Sequence, residues 1–283
     1  MTAADPLGQL DGWPVTTAAA AVVGPTGVLA THGDTGHLFR LASLTKPLAA
    51  LAALVAVEEG ALTLDTGLGD GNGASLAVEL PGATLRHLLA HASGIGPDRR
   101  QRAAAPGSRR IYSNAGFEVI SDLIAAATDI DFADYLREAV FQPLQMTTAS
   151  LPGSAAKDGI ASVRDFAALI SELLAPSGLL HPETLAAATS VQFPGLRGVL
   201  PGYGLQDPND WGLGLELRSH KQPHWTAPEN SPGTYGHFGR SGTMFWVDPQ
   251  AKLGLVALTD RDFDSWAIQA WPALSTAVLT SFS

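Results

Sequence analysis

The sequence predicts an α+β fold: an antiparallel β-sheet flanked by terminal helices, with a mostly helical lobe inserted into it. Three observations carry this. Short bulky or β-branched runs occur near both ends of the chain, at 18–31 and again at 212–259. Between them the texture is Ala- and Leu-rich with helical spacing. After the last strand-like run, Trp266, Ile268, Trp271, Leu274 and Val278 recur at mostly helical intervals.

Taken in order, residues 18–23 and 28–31 surround Gly-Pro-Thr-Gly, which reads as a hairpin. LTKPLAALAALVAVEE (44–59) is a helix of strong formers, with Gly60 as its stop. TLRHLLAH (84–91) is a short helix that Thr84 caps. Helices follow at 115–128, at 131–140 with Asp131 as cap, at 163–174, and at 182–189 with Pro182 in the first turn. Beyond Pro201, the runs 212–217, 242–247 and 253–259 read as strands, with Asp248-Pro249-Gln250 turning between the last two. Asp264 caps the final helix. The expected division is 1–42 plus 205–283 as the sheet lobe and 43–204 as the helical lobe, with a site in the cleft between them.

Composition excludes several classes. The chain has 283 residues, 46% of them hydrophobic and 16% charged, so it is too apolar and too weakly charged for disorder. Its net charge is −10 and it has no basic run, which disfavours nucleic acid and anionic membrane surfaces. No cysteine is present, so disulfides, thiolate metal sites and a cysteine nucleophile are absent. The most apolar stretch, 47–57, is far short of the roughly 20 residues a membrane span needs. The first residues lack a basic segment followed by an apolar core, so a cytoplasmic protein is expected.

Three short motifs carry chemistry. Ser43-Leu44-Thr45-Lys46 lies where the first long helix begins. Residues i and i+3 share a helix face, so the Lys46 amine can reach the Ser43 hydroxyl. A serine needs a neighbouring base to become a strong nucleophile, and a lysine in a dry cleft can lose its charge and serve as one. Tyr112-Ser113-Asn114 follows a loop and precedes a helix; a phenol beside a lysine can work as a general base, and Asn114 either binds a substrate carbonyl or caps the helix. His237-Phe238-Gly239, followed by Arg240, stands at an edge-like strand, where a glycine allows close approach and an N–H can meet an oxyanion.

Order and context make the set specific. Ser-x-x-Lys opening a helix, Tyr-x-Asn in a loop and His-x-Gly on a late strand parallel the S-x-x-K, S-D-N and K-T-G set of class A β-lactamases and penicillin-binding proteins. The sequence resembles the serine β-lactamase superfamily, nearest its class C and family VIII esterase branch. LVAVEEGALTLD (54–65), TLRHLLAHASGI (84–95), PGSRRIYSN (106–114), FQPLQM (141–146), ASVRDFAALI (161–170) and HFGRSGTMFWVDP (237–249) are similar to that family's segments. The resemblance implies a β-lactamase/transpeptidase-like fold. It implies Ser43 as the acylated nucleophile, Lys46 as its activator and Tyr112 as a shared general base and acid. Asn114 would bind substrate and steady Lys46. The N–H groups of Ser43 and Arg240 would form the oxyanion hole, with Gly239 beside them. His237 stands where β-lactamases usually carry lysine. Being largely neutral at pH 7, it weakens the case for substrates with a carboxylate.

The expected activity is therefore hydrolysis of small carboxylic esters through an acyl-enzyme, without metal or cofactor. Its partner would be a small-molecule ester or amide. A β-lactamase or DD-peptidase, an amide-directed peptidase or transferase, and a catalytically silent binding protein are the alternatives. Two weaker patterns are set aside. His87 and His91 have a metal-like spacing but no glutamate follows His87 as a zinc protease requires. Gly69-x-Gly71-x-x-Ala74 follows no strand.

Overall fold

The structure is a computed structural model that describes residues 5–68 and 80–282. The Gly69, Gly71, Ala74 pattern lies outside the described residues. Six strands form the main sheet: β1 (Ala18–Gly24), β2 (Gly27–His32), β7 (Glu216–Leu217), β8 (Tyr235–Gly239), β9 (Thr243–Asp248) and β10 (Leu253–Thr259). Their order is β2-β1-β10-β9-β8-β7, antiparallel throughout, so the chain's two ends are stitched together along β1 and β10 with Ala21 opposite Val256.

Both faces of this sheet are covered, and the two-residue period of a strand sorts its side chains between two cores. Ala19, Ala21 and Val23 of β1, with Phe245, Val256 and Leu258, face the helical segment. Ala20 and Val22, with Met244, Trp246, Leu255 and Ala257, face the C-terminal helix α7 (Ser265–Phe282) and its Trp271, Leu274 and Val278. Toward the other terminus the flanking element among the described residues is a 3₁₀ turn, Gly8–Gly12, whose Leu10 joins the same core. Asp264 caps α7 by accepting from the Trp266 N–H at 2.9 Å.

Between β2 and β7 the chain forms α1 (Thr45–Glu58), α2 (Leu85–Leu89), α3 (Asn114–Thr128), α4 (Phe132–Leu136), α5 (Val163–Leu174) and α6 (Pro182–Ala188). It also forms the short strand pairs β3 (Phe39–Arg40) with β4 (Ile160–Ala161) and β5 (Gly198–Leu200) with β6 (Gly204–Gln206). Helix α1 is apolar nearly all round, which marks a helix enclosed by protein. Five alanines, three leucines and its proline are buried. Each fully buried leucine contributes about 1.5–3 kcal/mol.

Two expectations are refined. The run 212–217 is a strand only at 216–217. Gly214 has φ +77 and a Cβ there would overlap Ala50 of α1, so residues 212–215 turn against the helix instead of extending. The helix at 131–140 is α-helical to Leu136 and continues as a π-helical turn, Arg137–Phe141. No helix among the described residues is long and apolar enough to cross a membrane.

Candidate active site

Ser43 lies in a 3₁₀ turn, Ala42–Leu44, that runs directly into α1. Ala42 adopts φ +46, a left-handed conformation that is costly for a non-glycine residue. The turn is held by its neighbours: Thr45 Oγ1 donates to the Ala42 carbonyl at 2.7 Å and accepts from the Gly159 N–H at 2.9 Å. From the other side the β8–β9 turn grips it. Thr243 Oγ1 donates to the Leu41 carbonyl at 2.9 Å and Ser241 Oγ to the Arg40 carbonyl at 2.6 Å. Gly239 makes this approach possible, because a Cβ there would fall on the Leu41 carbonyl oxygen. Strand β7 pairs only Tyr235 and Gly236 of β8, which leaves His237 to Gly239 on an edge beyond it.

Lys46 is fully buried one turn below Ser43. Its Nζ lies 3.1 Å from Ser43 Oγ, 2.7 Å from Asn114 Oδ1 and 2.9 Å from the Ala156 carbonyl oxygen. Burial lowers its pKa to about 7, against a smaller opposing pull from Glu118 and Asp98. The three partners give this shift a direction. Two are carbonyl oxygens that only accept, so a neutral amine spends both N–H bonds on them. Its lone pair is then left for the third partner, the Ser43 hydroxyl.

Asn114 is available for this contact because it does not cap its own helix. Ser113 does, accepting from the Gly116 N–H at 2.9 Å. The Asn114 amide is oriented at both ends, with Oδ1 on Lys46 and Nδ2 donating to Asp98 Oδ1 at 2.7 Å.

Tyr112 places its ring under Lys46, with Nζ 4.7 Å from the ring centroid, and presents its oxygen to His237 Nε2 at 3.5 Å. A lowered phenol pKa is not what results. Loss of solvation pushes it up, outweighing the Ser43 hydroxyl, and the phenol stays protonated. His237 is buried rather than on the surface. Its Nδ1 lies 2.7 Å from the Phe238 carbonyl oxygen, which can only accept, so Nδ1 carries the hydrogen and Nε2 offers a lone pair to Tyr112. Burial and the nearby Lys46 lower its pKa to about 3, so the ring is neutral.

Ser43, Lys46, Tyr112, Asn114 and His237 are thus brought together, and Gly239 and Arg240 follow at the β8 edge. A cavity of about 430 Å³ opens on Ser43, Tyr112, Asn114, His237 and Arg240. Its remaining wall is largely apolar: Leu200, Pro201, Trp211, Phe238 and Phe263. Such a site can transfer an acyl group to a hydroxyl held beside a neutral amine.

Several residues here have supporting roles that the sequence does not signal. Asp98 orients Asn114 from a loop. Arg110, buried, donates to the carbonyls of Ala90, Asn209 and Phe193 and fixes the loop that bears Tyr112. His91 sits behind Tyr112, ring centroids 4.6 Å apart, and its Nδ1 accepts from the Ser113 N–H at 3.1 Å. His87 and His91 do not share a helix face, since α2 ends at Leu89 and His91 has φ +54. His87 instead bonds Thr84 and stacks on Phe193.

The β-lactamase family model matches residues 13–277. A solved structure of a β-lactamase from Mycobacterium bovis is 53% identical, covers 98% of this chain and 99% of its own, and superposes with a TM-score of 0.93. Simvastatin synthase from Aspergillus terreus, 18% identical over 99% of this chain and 96% of its own, shares the fold with a TM-score of 0.78. Among curated proteins, penicillin-binding protein 4* of Bacillus subtilis is 29% identical over 144 residues and esterase EstB of Burkholderia gladioli 34% identical over 124. Each match spans 40% of this chain, and 30% and 28% of the relatives' own lengths. With a family match that takes in both the sheet and the inserted helices, the chain belongs to the β-lactamase family.

Proposed function

We propose that this chain is a serine hydrolase that cleaves small carboxylic esters through an acyl-enzyme on Ser43. The observation that carries it is the Lys46 amine, buried, with a pKa near 7 and 3.1 Å from the Ser43 hydroxyl. Neutral Lys46 takes the Ser43 proton as Oγ attacks the ester carbonyl. The developing oxyanion meets the N–H groups of Ser43 and Arg240. Tyr112, held protonated, donates to the leaving oxygen as the ester C–O bond breaks, and the proton held on Lys46 restores it. The net change is one proton moved from Ser43 to the alcohol, and one acyl bond moved from the alcohol to Ser43. Water then attacks by the same steps in reverse, breaking the Ser43–acyl bond and returning the proton to Ser43. In the resting site His237 Nε2, 3.5 Å away, can accept the Tyr112 hydrogen, which turns to the leaving oxygen as the C–O bond breaks.

A neutral His237 favours esters over β-lactams. A ring with a pKa of about 3 offers no cation to a substrate carboxylate at that position. The second reading is β-lactam hydrolysis. The Mycobacterium bovis relative is described as a β-lactamase, and Arg240 brings a guanidinium to the cavity rim.

Intact mass spectrometry after exposure to a fluorophosphonate, a penicillin and a panel of p-nitrophenyl esters tests both. The ester reading expects fluorophosphonate labelling of Ser43, turnover of short-acyl esters that Ser43→Ala abolishes, and slow or absent nitrocefin hydrolysis. Rapid nitrocefin turnover puts the second reading first. Folded protein that is labelled elsewhere, or nowhere, overturns both.

A further inference from the structure

Ser43 stands on the boundary between two chambers of opposite chemistry. The apolar one, described above, contains Tyr112 and His237. A second cavity, of about 740 Å³, also opens on Ser43 and is more polar: Arg40, Lys157 and Arg240 border it, together with Asp158, Asp260 and Asp262. Ser43, Asp98, Asn114 and Arg240 border both. Tyr112 and His237 border the apolar chamber and not the polar one.

This arrangement fixes which half of an ester goes where. The group that returns the proton must reach the leaving oxygen, so the alcohol portion lies on the Tyr112 side, among Trp211, Phe238 and Phe263. The acyl chain then points away from Tyr112, into the polar chamber.

The charges in that chamber are unequally committed. Asp158 accepts from the Ser154 N–H at 2.9 Å, Asp260 from the N–H groups of Thr16 and Thr17 at 3.0 Å each, and Asp98 from Asn114 at 2.7 Å. Asp262 adds a further carboxylate to the wall. Among the described residues, none of the ion pairs uses Arg40, Lys157 or Arg240. The four carboxylates outnumber the three cations, but three of the four are held in place by N–H donors, while Arg40, Lys157 and Arg240 have no ion-pair partner among the described residues and can turn to a ligand. Arg40 and Lys157 also flank the adjoining 240 Å³ recess together with Asp158, so cations outnumber carboxylates there.

Resting on the ester-hydrolase reading, we propose that the preferred substrate joins an acyl group with an anionic end, such as the half-ester of a dicarboxylic acid, to an apolar alcohol or phenol. Arg40, Lys157 and Arg240 receive the anion, and the aromatic chamber receives the leaving group. This differs from a β-lactam, in which the ring-borne carboxylate lies on the leaving-group side, where His237 is neutral.

Three substrates of similar length decide it: p-nitrophenyl hydrogen adipate, p-nitrophenyl hexanoate and p-nitrophenyl 6-aminohexanoate. The expected order of kcat/KM is adipate, then hexanoate, then aminohexanoate. The first ratio should be about tenfold and shrink at high salt, as attraction between exposed charges does. An R40A/K157A double variant should bring the adipate-to-hexanoate ratio close to one. Equal or faster turnover of hexanoate or of the amine overturns the proposal, and so does an adipate preference that neither salt nor the double variant changes. The wild-type salt series stands without the variant, should that fail to fold. If fluorophosphonate does not label Ser43 and none of the three esters is turned over, the hydrolase reading itself falls, and selectivity is not at issue.

Discussion

Asn114 Oδ1 lies 2.7 Å from Lys46 Nζ, and it does so because Ser113, not Asn114, caps helix α3. An Asn at the start of a helix ordinarily spends its side chain on the backbone. Here that duty moves one residue back, and the amide instead spans from Lys46 to Asp98. The carboxylate of Asp98 keeps the amide from flipping, because a flipped amide would aim an oxygen at an oxygen.

Asp98→Ala should therefore act through Asn114. Without it the amide can turn, and Lys46 loses a fixed acceptor. An expected fall in kcat of roughly tenfold to a hundredfold follows from misplacing a reacting group by a fraction of an ångström to an ångström. Asp98→Asn, whose own oxygen still accepts from Asn114 Nδ2, should recover most of it. Steady-state kinetics on one p-nitrophenyl ester checks this; an Asn variant as poor as the Ala variant would mean that charge, not orientation, is what Asp98 supplies.

The ester reaction should turn on as pH rises through about 7. Lys46 acts as a base only when neutral, and its folded pKa has been lowered to about 7. kcat/KM, which reports the free enzyme, should climb with an apparent pKa near 7 and then level. Because Lys46 and Tyr112 are in contact, that value belongs to the pair. His237, at about 3, does not titrate in this range, so His237→Gln should leave the limb in place. The same shift affects stability. An unfolded lysine holds its proton to about 10.4, so between about 7 and 10.4 the unfolded chain binds more protons and wild type gains stability as pH rises. Chemical denaturation of wild type and Lys46→Met across that window should show the difference narrowing toward high pH.

Gly239→Ala should disturb Ser43 without touching it. The added methyl would fall on the Leu41 carbonyl and on Thr243 Oγ1, the pair that ties the β8–β9 turn to the segment carrying Ser43. Overpacking of this kind costs about 1–3 kcal/mol. A modest drop in Tm with a loss of kcat near a hundredfold is the expected pattern. A variant that is destabilised yet fully active would separate this glycine from the site.

What the sequence made legible follows the range of each interaction. Ser43 and Lys46 are three residues apart on one helical turn, so their meeting is local and readable. The hairpin of β1 and β2 and the helices α1, α3 and α5 are likewise written in patterns a few residues long. Asp98 and Asn114 are joined by a loop whose path depends on Arg110 and His91, and no local pattern records that path. The protonated state of Tyr112 is hidden for the same reason: a nearby lysine is visible in the sequence motif, whereas the burial that pushes the phenol up, outweighing the Ser43 hydroxyl, is a property of the assembled cleft. Glu216, Lys221 and His224 read as ordinary polar residues, yet they form a buried cluster because the turn between them folds inward.

That cluster gives the last prediction. Glu216, on β7, is buried and ion-paired with Lys221, accepts from Trp225 Nε1 at 2.9 Å and lies 2.9 Å from His224 Nε2. His224 Nδ1 accepts from the Thr226 N–H at 3.1 Å, so Nε2 is the donor to Glu216. Lys221, the His224 hydrogen bond and the ring's partial charge hold the Glu216 carboxyl at about 2 despite its burial. Lys221→Met removes the one full cation and leaves a buried carboxylate, which costs about 3–5 kcal/mol. Glu216→Gln/Lys221→Met removes both charges and should be less destabilised than the sum of the two single variants, since neither partner is left unpaired. Denaturant titration of the four proteins closes the cycle. Glu216 also borders the apolar cavity beside Ser43 and bridges to Trp211. The Lys221→Met protein, where it folds, should therefore show a higher KM for esters with aromatic leaving groups and a smaller change for those with small alcohols. An equal rise for both would confine the cluster to stability and leave the position of Trp211 to Asn209, which accepts its indole N–H at 3.2 Å.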